Sequence, residues 1–258
     1  MASKQEKKGN TTGSSKNNFA ETLLAISKRF SLFKVFDDFL TTTIAGFMQN
    51  PQTRQSLYGE EYATTIASYN DSKIWHEFQK ASLSLISEME ERADSSVGND
   101  ILGEFFEQHI SNGKKGPLFT SYPECKLMAS RVRLGHVFNE DREIKEEFRI
   151  IDPACGSGRM LLAFYELNGS GHEYYGIDID RICVKMTALN LFLNGVWDSE
   201  VMCADARVSG DFVLSYNISF RPKGIFKIEQ KEKSKLWQLT KDSPIVKPND
   251  SGTPTTLD

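Results

Sequence analysis

The sequence has few cysteines, no long apolar run and no surplus of positive charge, and each shortage removes a class of protein. Its four cysteines, Cys125, Cys155, Cys183 and Cys203, never stand in Cys-x-x-Cys spacing, and its four histidines form no His-x-x-x-His pair. Neither a disulfide framework nor a zinc site is expected, because both need ligands at short, recurring intervals. Apolar runs such as Ile44-Ala45-Gly46-Phe47-Met48 stop far short of the roughly 18 residues that cross a bilayer. The lysine-bearing N-terminus has no apolar block behind it before Phe19, so it does not read as a secretory signal. No membrane partner, no metal and a cytoplasmic location are the expectation. Lys+Arg 31 against Asp+Glu 35 leaves a net charge of −4, so any nucleic-acid contact must come from a local patch rather than from the whole body.

What remains is enough for a core: 39% of the 258 residues are hydrophobic. Residues 1–18 are Lys, Ser, Thr, Asn and Gly with almost nothing apolar to offset the entropy of ordering them, and from Lys241 onward Pro244, Pro248 and Pro254 stand among polar residues. Both ends read as disordered tails. From Phe19 to about Ile110 apolar residues recur three and four apart (Leu23, Ile26, Phe30; Phe36, Phe39, Leu40, Ile44; Ile74, Phe78, Leu85), which predicts four or five helices. Breaks fall at Asn50-Pro51 and Asn70-Asp71-Ser72, and Val97-Gly98-Asn99-Asp100 opens a further helix.

The pattern changes near Arg149. Three short apolar runs each end in an aspartate: Ile150-Ile151 before Asp152, Tyr174-Tyr175-Gly176-Ile177 before Asp178, and Val201-Met202-Cys203-Ala204 before Asp205. Helical stretches lie between them, from Arg159 to Leu167 and from Asp180 to Asn194. Strand-helix-strand-helix-strand predicts a parallel sheet with right-handed crossovers, whose ligands bind at the carboxyl ends of the strands. The first strand runs into Asp152-Pro153-Ala154-Cys155-Gly156-Ser157-Gly158-Arg159. Its glycines allow a sharp turn and close backbone approach, and the helix start presents unpaired N–H groups. As a dinucleotide fingerprint the turn fails, since Leu161 stands where the third glycine belongs. No Lys-Ser/Thr follows to cradle a triphosphate.

This run resembles the first motif of class I S-adenosylmethionine-dependent methyltransferases, in the Asp-Pro-Ala-Cys-Gly-Ser-Gly form of the DNA adenine-N6 enzymes. The resemblance implies a turn, Asp152 to Gly158, along the amino-acid end of the cofactor. It implies ribose binding by Asp178, an adenine ring flanked by Ile179, and an adenine amino group facing Asp205. Asp178 follows Gly158 by twenty positions, where a ribose-binding acid is expected. Ala188-Leu189-Asn190-Leu191 is similar to a segment of the methylase subunits of type I restriction-modification systems. Ile101-Leu102-Gly103-Glu104-Phe105-Phe106-Glu107 and Gly116-Pro117-Leu118-Phe119-Thr120 are similar to the helix and the tenth-motif turn of that group. Phe119 and Thr120 are thereby implied at the methionine carboxylate, with Ser121 standing where the group has proline. A tenth motif ahead of the first is the order of the gamma group. The implied fold is α/β, a Rossmann-like class I methyltransferase domain with a mainly parallel sheet preceded by an N-terminal α-helical region. The divisions are a tail over 1–18, helices over 19–115, the cofactor domain over 116–240 and a tail over 241–258.

Methylating adenine N6 requires acceptors for the amine hydrogens and an aromatic face for the flipped base, which the family supplies as Asn/Asp-Pro-Pro-Tyr/Phe. Here the corresponding segment is Asn217-Ile218-Ser219-Phe220, without the prolines that stiffen the turn. Asn217 and Phe220 are the catalytic candidates, and an ordinary strand and turn is the alternative. Little chain is left for target recognition, so a separate specificity subunit is an expected partner beside DNA. Lys and Arg at 221, 223, 227, 231, 233 and 235, or at 131, 133, 142, 145 and 149, form either phosphate-tracking patches or solvated faces. Three functions follow: an adenine-N6 DNA methyltransferase, a silent cofactor-binding relative acting as an interaction or regulatory subunit, and methylation of RNA or protein.

Overall fold

A computed structural model describes residues 18–48, 59–71, 73–92, 98–111, 119–137 and 149–242, the side chains of 132–137 excepted. The expected tails lie almost wholly outside this set, as do Asn50-Pro51, Arg142 and Lys145. Asn18, at the inner edge of the first tail, accepts from Glu21 N at 2.7 Å and so caps α1 (Phe19–Ser27). α2 (Leu32–Phe47), α3 (Gly59–Ala67) and α4 (Ile74–Arg92) follow. Phe36 and Phe39 of α2 and Ile74, Phe78 and Leu85 of α4 are buried, which is the three-and-four spacing turned into one apolar stripe per helix. Asp100 caps α5 (Ile101–Phe105), which runs on into a π-helical turn, Phe106–Ser111.

The sheet joins β1 (Arg149–Asp152), β2 (Glu173–Asp178), β3 (Ser199–Cys203), β4 (Leu214–Phe220) and β5 (Lys223–Ile228) in that spatial order. β1–β2 and β2–β3 are parallel, linked by α7 (Arg159–Asn168) and α8 (Arg181–Leu193). β3–β4 and β4–β5 are antiparallel. The sheet is therefore mixed, a correction to the mainly parallel expectation. The cause is connection length: only residues 204–213 separate β3 from β4, and only Arg221-Pro222 separates β4 from β5, whereas a parallel return needs a crossover of about a dozen residues or more.

Alternation along the central strands divides the core. Tyr174, Val201 and Cys203 face the large cluster that also holds the apolar faces of α1, α2, α4, α7 and α8, while Tyr175, Ile177 and Met202 face a smaller one closed by Leu236 of α9 (Lys235–Thr240). The helices before the sheet share this larger core. Phe47 meets Phe192 at 4.5 Å between ring centroids, and Lys185 of α8 binds Asp37 at 2.6 Å and Thr41 at 2.9 Å on α2. α6 (Tyr122–Val137) lies against α7, with the Tyr122 hydroxyl bonded to Glu166. This packing brings α5 and the start of α6 to the turn after β1.

Candidate functional site

The three aspartates end neighbouring parallel strands or the residues just beyond them, and the register aligns Asp152 with Gly176 and Asp178 with Cys203. The carboxyl ends of β1, β2 and β3 therefore lie side by side at one end of the sheet, the place where open α/β sheets hold a ligand crevice, and this is the candidate crevice. Its floor is the turn of residues 153–158. Cys155 N donates to Ile177 O at 2.9 Å, Gly158 N donates to Cys155 O at 2.7 Å, and Ala154 N donates to the Asp152 carboxylate at 3.1 Å. Gly156 and Gly158 have φ of +55° and +86°, in the left-handed region that a Cβ disfavours. A Cβ on Gly156 would meet the Phe119 ring at 2.6 Å, and one on Gly158 would meet Thr187 at 2.9 Å.

Asp178 holds this turn to β2. Its Oδ2 accepts from Gly156 N and its Oδ1 from Asp180 N, both at 2.9 Å, and the Ile179 amide also bonds to it. A carboxylate has about four lone-pair positions, so three amides do not exhaust its acceptor capacity. Burial raises the Asp178 carboxyl above the ordinary range, opposed by those amides. Burial also raises Asp152, and the Asp178 charge adds to the rise. Ile179, next in the chain, is 69% exposed at the strand tip, where an apolar face is open to a flat ring. Asp205 lies on the far side of β2 and is tied by both oxygens to Arg207, at 2.8 Å and 2.9 Å. That partner pulls its pKa down to about 2.

On the β1 side the crevice is walled by Phe119 and Thr120. Phe119 packs against Gly156 and lies 6.0 Å from Phe106 between ring centroids. Ser121, standing where proline was expected, starts α6: its N–H and hydroxyl both donate to Glu124, at 3.1 Å and 2.7 Å. This is the reciprocal half of a capping box, and it explains why serine serves at that position.

Beneath the turn lies a polar network that the sequence did not disclose as a unit. Asp100, 2% exposed, accepts from Gly103 N at 2.9 Å, Ser157 Oγ at 2.5 Å, Arg159 Nε at 2.8 Å and Asn190 Nδ2 at 2.7 Å. Asn190 also donates to Ser157 O, and Thr187 to Gly156 O, both at 2.8 Å. The available signal was Asn190 itself, a polar residue inside the apolar run Ala188-Leu189-Asn190-Leu191 of a helix buried on most of its faces. Asp100 was visible only as a helix cap.

Asn217 and Phe220 are not brought to the crevice. β4 runs antiparallel to β3, so Leu214 lies beside Cys203 at the aspartate end, whereas Asn217 lies beside Glu200 and Phe226 in mid-sheet. Phe220 lies beyond Ile218, the partner of Ser199, and packs on Trp197 at 5.5 Å. The structure thus sets the two catalytic candidates apart from the strand-end aspartates, in a strand and turn. The antiparallel return leaves Asn217 within the sheet and carries Phe220 to its opposite end. Of the basic residues in this segment, Lys227 pairs with Glu61 and Glu229. Among the described residues no group of His, Cys, Asp and Glu is placed to hold a metal ion, and no helix is long and apolar enough to cross a membrane.

Comparison with known proteins finds relatives for part of the chain. The N-6 DNA Methylase family model matches residues 97–211. That stretch contains Asp100, Phe119, Thr120 and all three strand-end aspartates, and it ends before Asn217. The chain is 30% identical over 131 residues to the type I restriction enzyme MjaVIII methylase subunit of Methanocaldococcus jannaschii, covering 47% of this chain and 21% of that one. It is also 30% identical over 115 residues to the MjaVII methylase subunit of the same organism, covering 41% and 18%. The chain thus spans about a fifth of the length of these relatives. A crystal structure of the type I restriction-modification methyltransferase subunit from Streptococcus thermophilus aligns with 69% of this chain and 54% of its own at 15% identity, with a TM-score of 0.30. The motif resemblance to N6-adenine DNA methyltransferases is borne out over residues 97–211.

Proposed function

We propose that this chain binds S-adenosylmethionine in the crevice at the ends of β1, β2 and β3. It would thereby supply the cofactor site of an adenine-N6 DNA methyltransferase of the type I restriction-modification kind, with a Rossmann-like cofactor domain. One observation carries the reading. Asp178 clamps the Gly156 amide and keeps acceptor capacity at the crevice, inside the stretch matched by the N-6 DNA Methylase family.

In this reading Asp178 accepts from the ribose hydroxyls and the exposed Ile179 covers one face of the adenine. Asp205 accepts from the adenine amino group once Arg207 gives way. The turn of residues 152–158, with Phe119 and Thr120, encloses the methionine end. The bound cofactor supplies an electrophilic methyl on a sulfonium sulfur. The residues of this chain hold it still and keep its electrophile at the crevice mouth, which is the positioning share of the rate enhancement. DNA and a separate specificity subunit are the partners that the type I reading brings with it, and a cytoplasmic location accords with it.

Calorimetric titration tests the cofactor reading. The chain is expected to bind S-adenosylmethionine and Asp178→Ala to weaken binding at least tenfold, in line with the loss of hydrogen bonds to a charged acceptor, about 1.5–3 kcal/mol each. Undetectable binding, or binding unchanged by the substitution, would overturn it. A second reading, a cofactor-binding relative without transferase activity of its own, is favoured by the displacement of Asn217 and Phe220 from the crevice. Transfer of labelled methyl groups to DNA of mixed sequence separates the two: incorporation supports the enzyme, and none, with cofactor binding intact, supports the silent relative.

A further inference from the structure

Arg159 is an unusual residue to follow a glycine turn, for it begins α7 yet is 8% exposed and points under the crevice. Its guanidinium is distributed over three separate pieces of chain. Nε donates to Asp100 at 2.8 Å, Nη2 to Glu107 at 3.0 Å and Nη1 to the carbonyl of Thr120 at 3.1 Å. Its Cζ lies 5.7 Å from the Phe119 ring centroid. Glu107 completes the circuit by accepting from Phe119 N at 3.0 Å. Backbone groups of both wall residues are therefore held by one ion-paired unit, which is anchored in turn to the crevice floor through Asp100 and Ser157.

The direction of the crevice gives this unit a definite task. Asp178, Ile179 and Asp205 mark its β3 side, and Asp152, the turn and Phe119 mark its β1 side. A ligand with its nucleoside at the first set extends its remaining chain toward Phe119 and Thr120. The unit holds the wall at Phe119 and Thr120, and its tie to the floor passes through Asp100 and Ser157.

We infer that Arg159 is a positioning residue, which with Asp100 and Glu107 latches the Phe119–Thr120 wall onto the glycine turn and so selects ligands that carry an amino-acid chain on the nucleoside. The inference rests on the proposed cofactor site and adds to it the source of discrimination at one end. An Arg is suited to the task because its planar fork serves three acceptors from three nitrogens, whereas a lysine presents all its donors from a single atom.

The test compares S-adenosylhomocysteine with 5′-methylthioadenosine, two thioethers with a neutral sulfur that share the nucleoside, of which only the first carries the zwitterionic amino-acid chain. Arg159→Lys is expected to weaken S-adenosylhomocysteine about tenfold, the scale of one lost charge-assisted hydrogen bond, and to leave 5′-methylthioadenosine within about twofold. Glu107→Ala, at a partly exposed position, is expected to give the same split. Equal weakening of both ligands by either variant would show a merely structural role and overturn the inference while leaving the cofactor site standing. A parent chain that binds neither ligand would overturn both.

Discussion

At the scale of single residues, the proposed site depends on a carboxylate, Asp178, whose charge burial opposes. Burial raises Asp178, so on acidification it takes up a proton at a higher pH than an exposed aspartate does. The ionised form makes the stronger, charge-assisted bonds to a ligand hydroxyl, and protonation turns one oxygen into a donor. Affinity for S-adenosylmethionine should therefore be flat well above the raised value and fall as the pH drops through it. Asp178→Asn should bind weakly and lose most of that slope, and titrations from neutral to acid pH check this. Gly158 gives a second case. With φ of +86° and Thr187 2.9 Å from an added Cβ, Gly158→Ala combines left-handed strain of about 1–2 kcal/mol with a steric clash. Urea unfolding should show a loss of at least that size. The positions of Asp152, Asp178 and the glycine turn were legible in the sequence because each follows from local rules about strand ends and backbone freedom. The Asp100–Arg159–Asn190 network was not. Its members are 59 and 90 positions apart from Asp100, and no local pattern encodes which buried polar groups will satisfy one another.

At the scale of elements, the connection lengths decide what the strands become. A helix fits between β1 and β2 and between β2 and β3, so these pair in parallel, while the short link after β3 folds the chain back. The sequence shows an apolar segment with Asn217 and Phe220 at suggestive positions, but edge choice and strand direction are set by pairing partners, and these place the hairpin away from the crevice. The helical reading of residues 19–110 was readable for a simpler reason. Leu23 and Ile26 in α1, Phe36, Phe39 and Leu40 in α2, and Ile74 and Phe78 in α4 recur at helical spacing and are buried. α9 is held by a different device. Glu200, 1% exposed on β3, accepts from the hydroxyls of Ser215 and Ser234 and from Lys235 N, at 2.6, 2.5 and 3.0 Å. Ser234 in turn caps α9 by accepting from Trp237 N at 2.9 Å. Glu200→Ala would leave these donors short of a partner at about 1–3 kcal/mol for each buried group. The expected result is earlier urea unfolding together with faster hydrogen exchange in α9, and unchanged exchange there would contradict the assignment.

At the scale of the whole molecule, one apolar core runs from α1 to β5, so the helices before the sheet and the sheet itself should unfold together. Phe39→Ala, deep in that core, should cost about 3–5 kcal/mol and shift a single denaturation transition. Two separable transitions would contradict a shared core. The same continuity explains how α5, far from the strands in sequence, comes to lie under the glycine turn and stiffen it. The central claim is that the ends of β1, β2 and β3 form a nucleoside-binding crevice and that the hairpin side chains have no part in it. Calorimetric titration of S-adenosylmethionine into the parent chain, Asp178→Ala and Asn217→Ala addresses both halves together. The account predicts binding that collapses in Asp178→Ala and is unchanged in Asn217→Ala. Binding that survives loss of Asp178, or that fails on loss of Asn217, would contradict it.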